Sequence, residues 1–195
     1  MITAAALAAT VATGLTACQA QVGAAAFVGN TRISESDVTR YVGPSATTFS
    51  VTNSDGSTQS INPKTYALGF LIIDTLLAKT FAASKDGPPT SSQLAGEEAA
   101  VLSGSTNAEL VSGLTSRGFT PAFATLYLDV NEKYGLLGSE TNDSGDGSAV
   151  AASISKLNAP VRVNGRYGTW NASQLSLVAA GAPSFLKSVA LVPND

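Results

Sequence analysis

Between Asn62-Pro63 and Gly87-Pro88-Pro89 runs the segment that most restricts what this chain can fold into. As a helix it places Leu68, Phe70, Leu71, Ile72, Ile73, Leu76, Leu77 and Phe81 on nearly every side. A helix that is apolar all round is buried all round, in a protein core or in a bilayer. Asp74 and Lys79 interrupt the run, and charges are costly at the bilayer centre, so a protein core is expected. Asn62 suits an N-cap and Pro63 the first helical position, so the helix spans about 63–84.

A central helix needs others around it, and start signals recur along the chain. Ser34-x-x-Asp37 is a capping-box pattern; its helix turns Val38 and Tyr41 inward and stops at Gly43-Pro44. Thr90-x-x-Gln93 opens a helix to about Leu102, and Asn107 to Arg117 a shorter one closed by Gly118. Thr120-Pro121 begins the next, ending near Gly138. Its Phe123, Leu126, Tyr127, Val130, Tyr134 and Leu137 recur at spacings of three and four, the mark of one buried stripe. Beyond the polar loop Glu140 to Ser148, a last helix from about Ala149 to Leu157 presents Val150, Ile154 and Leu157.

Short strands bracket the helices. Ala25 to Ile33 reads as strand, turn at Gly29-Asn30-Thr31, strand. After Pro160, Val161-Arg162-Val163 alternates like another, and Trp170, Leu175, Leu177 and Val178 form an apolar patch before an irregular end with Pro183 and Pro193. In 45–62, Phe49 and Val51 alternate with hydroxyl residues, and Asn53-Ser54-Asp55-Gly56 is a turn; a small β-hairpin and a flexible insertion are both open. The expected fold is mainly α: a bundle of about five to six helices, its first and last strands paired, forming a single domain over 25–195.

The N-terminus carries a different signal. Residues 1–17 are uncharged and alanine-rich, too short for a confident membrane span and suited to a signal peptide. Leu15-Thr16-Ala17-Cys18 resembles the bacterial lipobox. That resemblance implies cleavage before Cys18, a diacylglyceryl group on its thiol, a tether over 18–24, and a protein held on the extracytoplasmic face of the cell membrane. Its first partner would be the lipid bilayer.

Composition removes several chemistries. The chain has no histidine and one cysteine, which rules out Ser-His-Asp and Cys-His sites, His-ligated zinc and an internal disulfide. Fourteen acidic against eleven basic residues, with no basic run, leave no footprint for nucleic acid. Asn142-Asp143-Ser144-Gly145-Asp146-Gly147 looks like the start of a calcium loop, but its twelfth position is Ser153, and a surface linker is the favoured reading. Glu97 and Glu98 are adjacent, so their side chains diverge and read as a solvated face. Asp129, Glu132 and Lys133 read as the wet side of their helix. Gly165-Arg166-Tyr167-Gly168 is either a ligand-facing loop or, as favoured, a structural one in which Arg166 caps helix carbonyls and Tyr167 packs on Trp170. Neither enzyme activity, metal nor cofactor is expected.

The segment Ala24-Ala25-Ala26-Phe27-Val28-Gly29-Asn30-Thr31-Arg32-Ile33-Ser34-Glu35-Ser36-Asp37-Val38 resembles the opening of SurA-type N-terminal domains. Val161-Arg162-Val163-Asn164-Gly165-Arg166-Tyr167-Gly168-Thr169-Trp170 resembles a segment of secreted lipoproteins carrying that domain, with Gly165 where proline is usual. The resemblance implies a mostly helical chaperone-like domain with paired terminal strands. Related foldases add a parvulin isomerase domain whose active site is a histidine cluster; this chain has no histidine, and isomerase activity is not expected. The leading expectation is chaperone-like binding of exported or unfolded polypeptides, with Phe49, Phe119, Phe123, Tyr127 and Trp170 as candidate contacts. The alternatives are an accessory subunit docking on one envelope protein and, last, a small-ligand-binding lipoprotein.

Overall fold

The computed structural model describes residues 22–52, 58–143, 145 and 147–178. The signal-like run, Cys18, the first part of the tether, the 53–56 turn, Pro183 and Pro193 lie outside those residues.

Strands β1 (Ala24–Val28) and β2 (Thr31–Ser34) form an antiparallel pair, turned at Gly29, whose φ is 59°. Ser34 then caps helix α1 (Glu35–Arg40): Asp37 N–H donates to Ser34 Oγ at 3.1 Å, and Ser34 N–H to the Asp37 carboxylate at 2.8 Å. Strands β3 (Phe49–Thr52) and β4 (Thr58–Ile61) pair antiparallel, so the 45–62 region is a hairpin. Helix α2 (Pro63–Ala83) opens with Lys64 N–H donating to Asn62 Oδ1 at 2.9 Å. Helices α3 (Ser91–Leu102), α4 (Asn107–Ser116), α5 (Pro121–Thr141) and α6 (Ser148–Ser155) follow, then β5 (Val161–Val163), a 3-10 turn at Gly165–Tyr167, β6 (Thr169–Asn171) and β7 (Ser176–Val178).

Six α-helices and three small antiparallel sheets are thus present among the described residues. The strand after Pro160 does pair with the N-terminal one: β5 lies along β1, Val161 opposite Val28, in a sheet ordered β2-β1-β5. The Trp170–Val178 patch is a second hairpin, Trp170 opposite Leu177.

Helix α2 is the centre of the core, with ten buried residues. Its length and mean hydropathy of 1.5 would suffice to cross a membrane. Here Leu68, Ile72 and Leu77 are instead fully enclosed by protein. Helix α5 continues three residues past Gly138, because Asn142 supplies the left-handed cap (φ 52°) that ends it. Helix α3 has no buried residue and rests on α5.

Two polar expectations are corrected. Asp129 and Lys133 are not simply a wet face. Lys133 Nζ donates to Asp129 at 2.6 Å and reaches across to Asp74 of α2 at 2.9 Å, its side chain only 17% exposed. Burial disfavours the ammonium, but hydrogen bonds to the two carboxylates outweigh it and hold the Lys133 pKa above its usual value. In place of carbonyl capping by Arg166 and packing of Tyr167 on Trp170, both side chains reach Glu35 at the start of α1. The Tyr167 hydroxyl donates to Glu35 Oε2 at 2.6 Å, and the Arg166 guanidinium pairs with Glu35 Oε1. This latch ties residues 165–167 to the start of α1 beside the β1–β5 pair.

Candidate functional site

The five aromatic residues expected as contacts do not share a surface. Phe123 is fully buried, and Phe119 and Tyr127 are each only 4% exposed. They belong to a ring cluster joining α5 to α2: Phe119 stacks on Phe123 with centroids 4.3 Å apart, and Phe70 on Tyr127 at 5.3 Å. Phe123 and Tyr127 are α5 stripe residues and Phe119 stacks on Phe123 from just before the helix, which makes all three core, and core residues are not available to a client. Phe49 is half-buried, edge-on to Phe119 at 5.7 Å. Trp170, also half-buried, stands apart on the rim of a cavity of about 440 Å³ with Leu76, Ile154 and Leu175. Among the described residues, Val22 is the only exposed large apolar side chain.

The open apolar surface lies instead in a cleft of about 1160 Å³ beside the ring cluster. Helix α2 forms one wall through Asn62, Thr65, Tyr66, Gly69 and Ile73; helix α5 forms another through Asn131, Tyr134, Gly135 and Gly138. The two hairpins close its sides, β4 with Ser60 and Ile61, β7 with Ser176 and Leu177, and the α5–α6 loop lies across one end. Phe70, Val150 and Leu175 give it an apolar floor.

Among the described residues Asp143 is the only carboxylate in the lining, and no described Lys or Arg lies there. Its carboxylate accepts backbone N–H groups of Gly145 and Gly147 on Oδ1, at 2.8 and 3.0 Å, and of Ala149 and Val150 on Oδ2, at 2.8 and 3.1 Å. Desolvation opposes the charge, but these four bonds prevail and hold the Asp143 pKa below the usual aspartate range. The calcium-loop-like sequence is therefore a cap: Asp143 fastens the loop to the first turn of α6, where backbone donors lack helical partners. Gly147 is required there. Its φ is 74°, and a side chain on it would run into the Tyr134 hydroxyl.

The other polar groups are neutral. Burial raises the Tyr66 phenol far above its normal pKa, reinforced by nearby Tyr127, whose own phenol burial pushes up to about 12. Asn131 is buried, and its Nδ2 donates to the Tyr127 carbonyl at 2.7 Å. Among the described residues the cleft thus offers amides and hydroxyls above an apolar floor, with one carboxylate, Asp143, turned to backbone N–H groups at its end.

Sequence reasoning did not single out Tyr66, Asn131 or Gln174. A signal existed in the helical glycines 69, 135 and 138, since interior glycine costs a helix about 1 kcal/mol against alanine and calls for a spatial reason. Compared with family models, curated proteins and solved structures, the chain matches none of them.

Proposed function

We propose that this protein is a non-catalytic lipoprotein, held at the extracytoplasmic face of the cell membrane through Cys18, which holds exported polypeptides in the cleft between α2 and α5. The anchor reading rests on Leu15-Thr16-Ala17-Cys18 following an uncharged apolar run. The chaperone-like reading draws on the SurA-type resemblance at residues 24–38 and 161–170; those two segments contain the strands β1 and β5, which pair.

One observation carries the choice of site and occupant: among the described residues the cleft is lined by neutral groups except for Asp143, whose carboxylate is engaged by four backbone N–H groups. A polypeptide segment offers what such a lining complements, namely repeating neutral amides and small apolar side chains.

The test is suppression of aggregation by the soluble 19–195 chain added in several-fold excess to a denatured exported protein. Suppression is expected, and Gly69→Val should abolish it with the thermal midpoint retained, because a Cβ there meets nothing closer than Leu177 Cδ1 at 4.0 Å. No suppression at any excess overturns the holding function. Capture of one stoichiometric envelope protein from membranes, in place of many clients, would reassign the protein as an accessory subunit. Intact mass of the membrane-extracted protein should show cleavage before a lipid-modified Cys18; an uncleaved, unmodified N-terminus removes the anchor.

A further inference from the structure

Strand register builds a row of three side chains across the outer face of the β2-β1-β5 sheet. Phe27 of β1 lies opposite Arg32 of β2 on one side and Arg162 of β5 on the other. Directly opposed residues share a face, and the alternate residues Ala26, Val28 and Ile33 are buried on the other. Both arginines are exposed and the ring between them is half-buried, with the Arg162 guanidinium 5.4 Å from its centroid. Arg32 Nη2 donates to the Val22 carbonyl at 2.6 Å, and Val22 itself is 75% exposed. That bond uses one of the five N–H donors a guanidinium carries. Residues 22–34 and 156–178, which contain the three strands, hold four of the chain's eleven bases and none of its fourteen acids. The two acids of α1 are engaged locally, Asp37 by Ser34 and Glu35 by Arg166 and Tyr167. Val22 stands four residues after Cys18, a length of chain that spans at most about 14 Å.

We propose that the face formed by Arg32, Phe27 and Arg162 lies on the bilayer, its arginines binding the phosphates of anionic lipid headgroups and Phe27 and Val22 entering the interface between them. The proposal rests on the Cys18 anchor and goes beyond it: a lipid chain limits how far the protein stands from the bilayer, not which side faces it. The short tether keeps the start of β1 within reach of a headgroup layer about 5–8 Å deep. Guanidinium forks match phosphate oxygens two at a time, and aromatic rings settle at headgroup level. Each arginine near an anionic surface favours contact by about fivefold, so the pair favours it by about 25-fold. Free phosphate offers the same oxygens but no apolar layer for Val22 and Phe27, so the headgroup is the partner that fits the whole row.

The experiment reconstitutes the protein extracted from membranes into vesicles carrying nitroxide-headgroup lipid, a quencher of nearby fluorophores. With the Cys18 thiol taken up as a thioether, a new cysteine is the one thiol left to label. Asn30→Cys places the label on the exposed β1–β2 turn beside the row, and Ser112→Cys on the exposed side of α4, which packs on α5. In vesicles of mixed phosphatidylglycerol and phosphatidylcholine, quenching at residue 30 should exceed that at residue 112 at least about threefold, as a bias of about 25-fold in orientation requires. The joint substitution Arg32→Gln and Arg162→Gln, salt at about 0.5 M, or phosphatidylcholine alone should each bring the two labels close to equal. The salt and lipid arms leave the arginines in place, so they hold whatever the substitutions do to folding. Equal quenching of the two labels in anionic vesicles overturns the proposal while the anchor stands, because the protein still floats with the vesicles. Excess quenching at residue 30 that survives all three changes means the tether alone sets the orientation, and it too overturns the proposal. A protein that neither floats with the vesicles nor carries lipid fails at the anchor itself and takes the proposal with it.

Discussion

Helices α2 and α5 meet in two ways, and the difference turns on neighbouring residues. Phe70 of α2 packs against Phe123 and Tyr127 of α5, with centroids 5.4 and 5.3 Å apart, and the space between the helices is filled. Gly69, one residue earlier and about 100° round the helix, lines the cleft, where a side chain would meet only Leu177 Cδ1 at 4.0 Å. The filled stretch gains from burial and ring contacts. The open stretch carries at Gly69 the cost of glycine in a helix. Gly135 of α5 differs: a side chain there would meet Glu97 at 2.9 Å, so its small size serves the packing of α3 on α5.

That contrast can be broken most severely on its filled side. Phe123→Ala removes the ring that contacts Tyr41, Tyr66, Phe70, Phe119 and Tyr127, and should cost about 3–5 kcal/mol in urea unfolding. A loss under about 1 kcal/mol would mean the cluster is not the core of the fold.

The next effect concerns the end wall of the cleft. Asp143→Ala should speed hydrogen exchange at Gly145, Gly147, Ala149 and Val150 and fray the start of α6. Because folding lowers the Asp143 pKa, its contribution is fully present above the ordinary value of about 3.9 and disappears as pH falls through the lowered one. Wild-type protection at these amides, taken relative to the intrinsic exchange rate at each pH, should therefore fall only below about pH 4 and approach that of the variant. Unchanged exchange in the variant would show the loop is held by other means.

Gly69→Ala sharpens the open side. With nothing nearer than 4.0 Å to the new methyl, it should raise stability by up to about 1 kcal/mol in thermal unfolding. A destabilised variant would mean the helices already touch there.

The smallest effect is at Glu132, on α5 but away from both regions. Burial, then the charges of Glu98 and Asp129, raise its pKa against the pull of Lys133. A raised carboxyl favours folding below its ordinary value of about 4.3 and loses that contribution as pH rises through the raised one. Glu132→Gln should thus gain within about 0.5 kcal/mol at pH 7 and nothing at pH 4, read as thermal midpoints at both.

Much of the architecture was legible locally. Ser34 and Asp37 at a spacing of three, Asn62 before Pro63, and Thr90 with Gln93 announce helix starts, because a cap needs only residues within one turn of each other. Thr106 with Glu109 carries the same pattern and forms the same box, though only its helix had been anticipated. Strands β1 and β5 were legible as strands, and their pairing as the way to close the domain. The functional side was less so. Aromatic type suggested contact, whereas periodicity already placed Phe123 and Tyr127 on the α5 stripe, and the core claimed them.

The sequence by itself determined the helices, their caps, the uncharged run of residues 1–17 before Cys18 and the absence of histidine, because each depends on residue identity or short-range spacing. Only the tertiary structure decided that Glu35 meets Arg166 and Tyr167, that Lys133 bridges to Asp74, and that residues of two helices and two hairpins border one cleft. Those partners are separated by tens to more than a hundred residues, and no local rule relates them until packing brings them together.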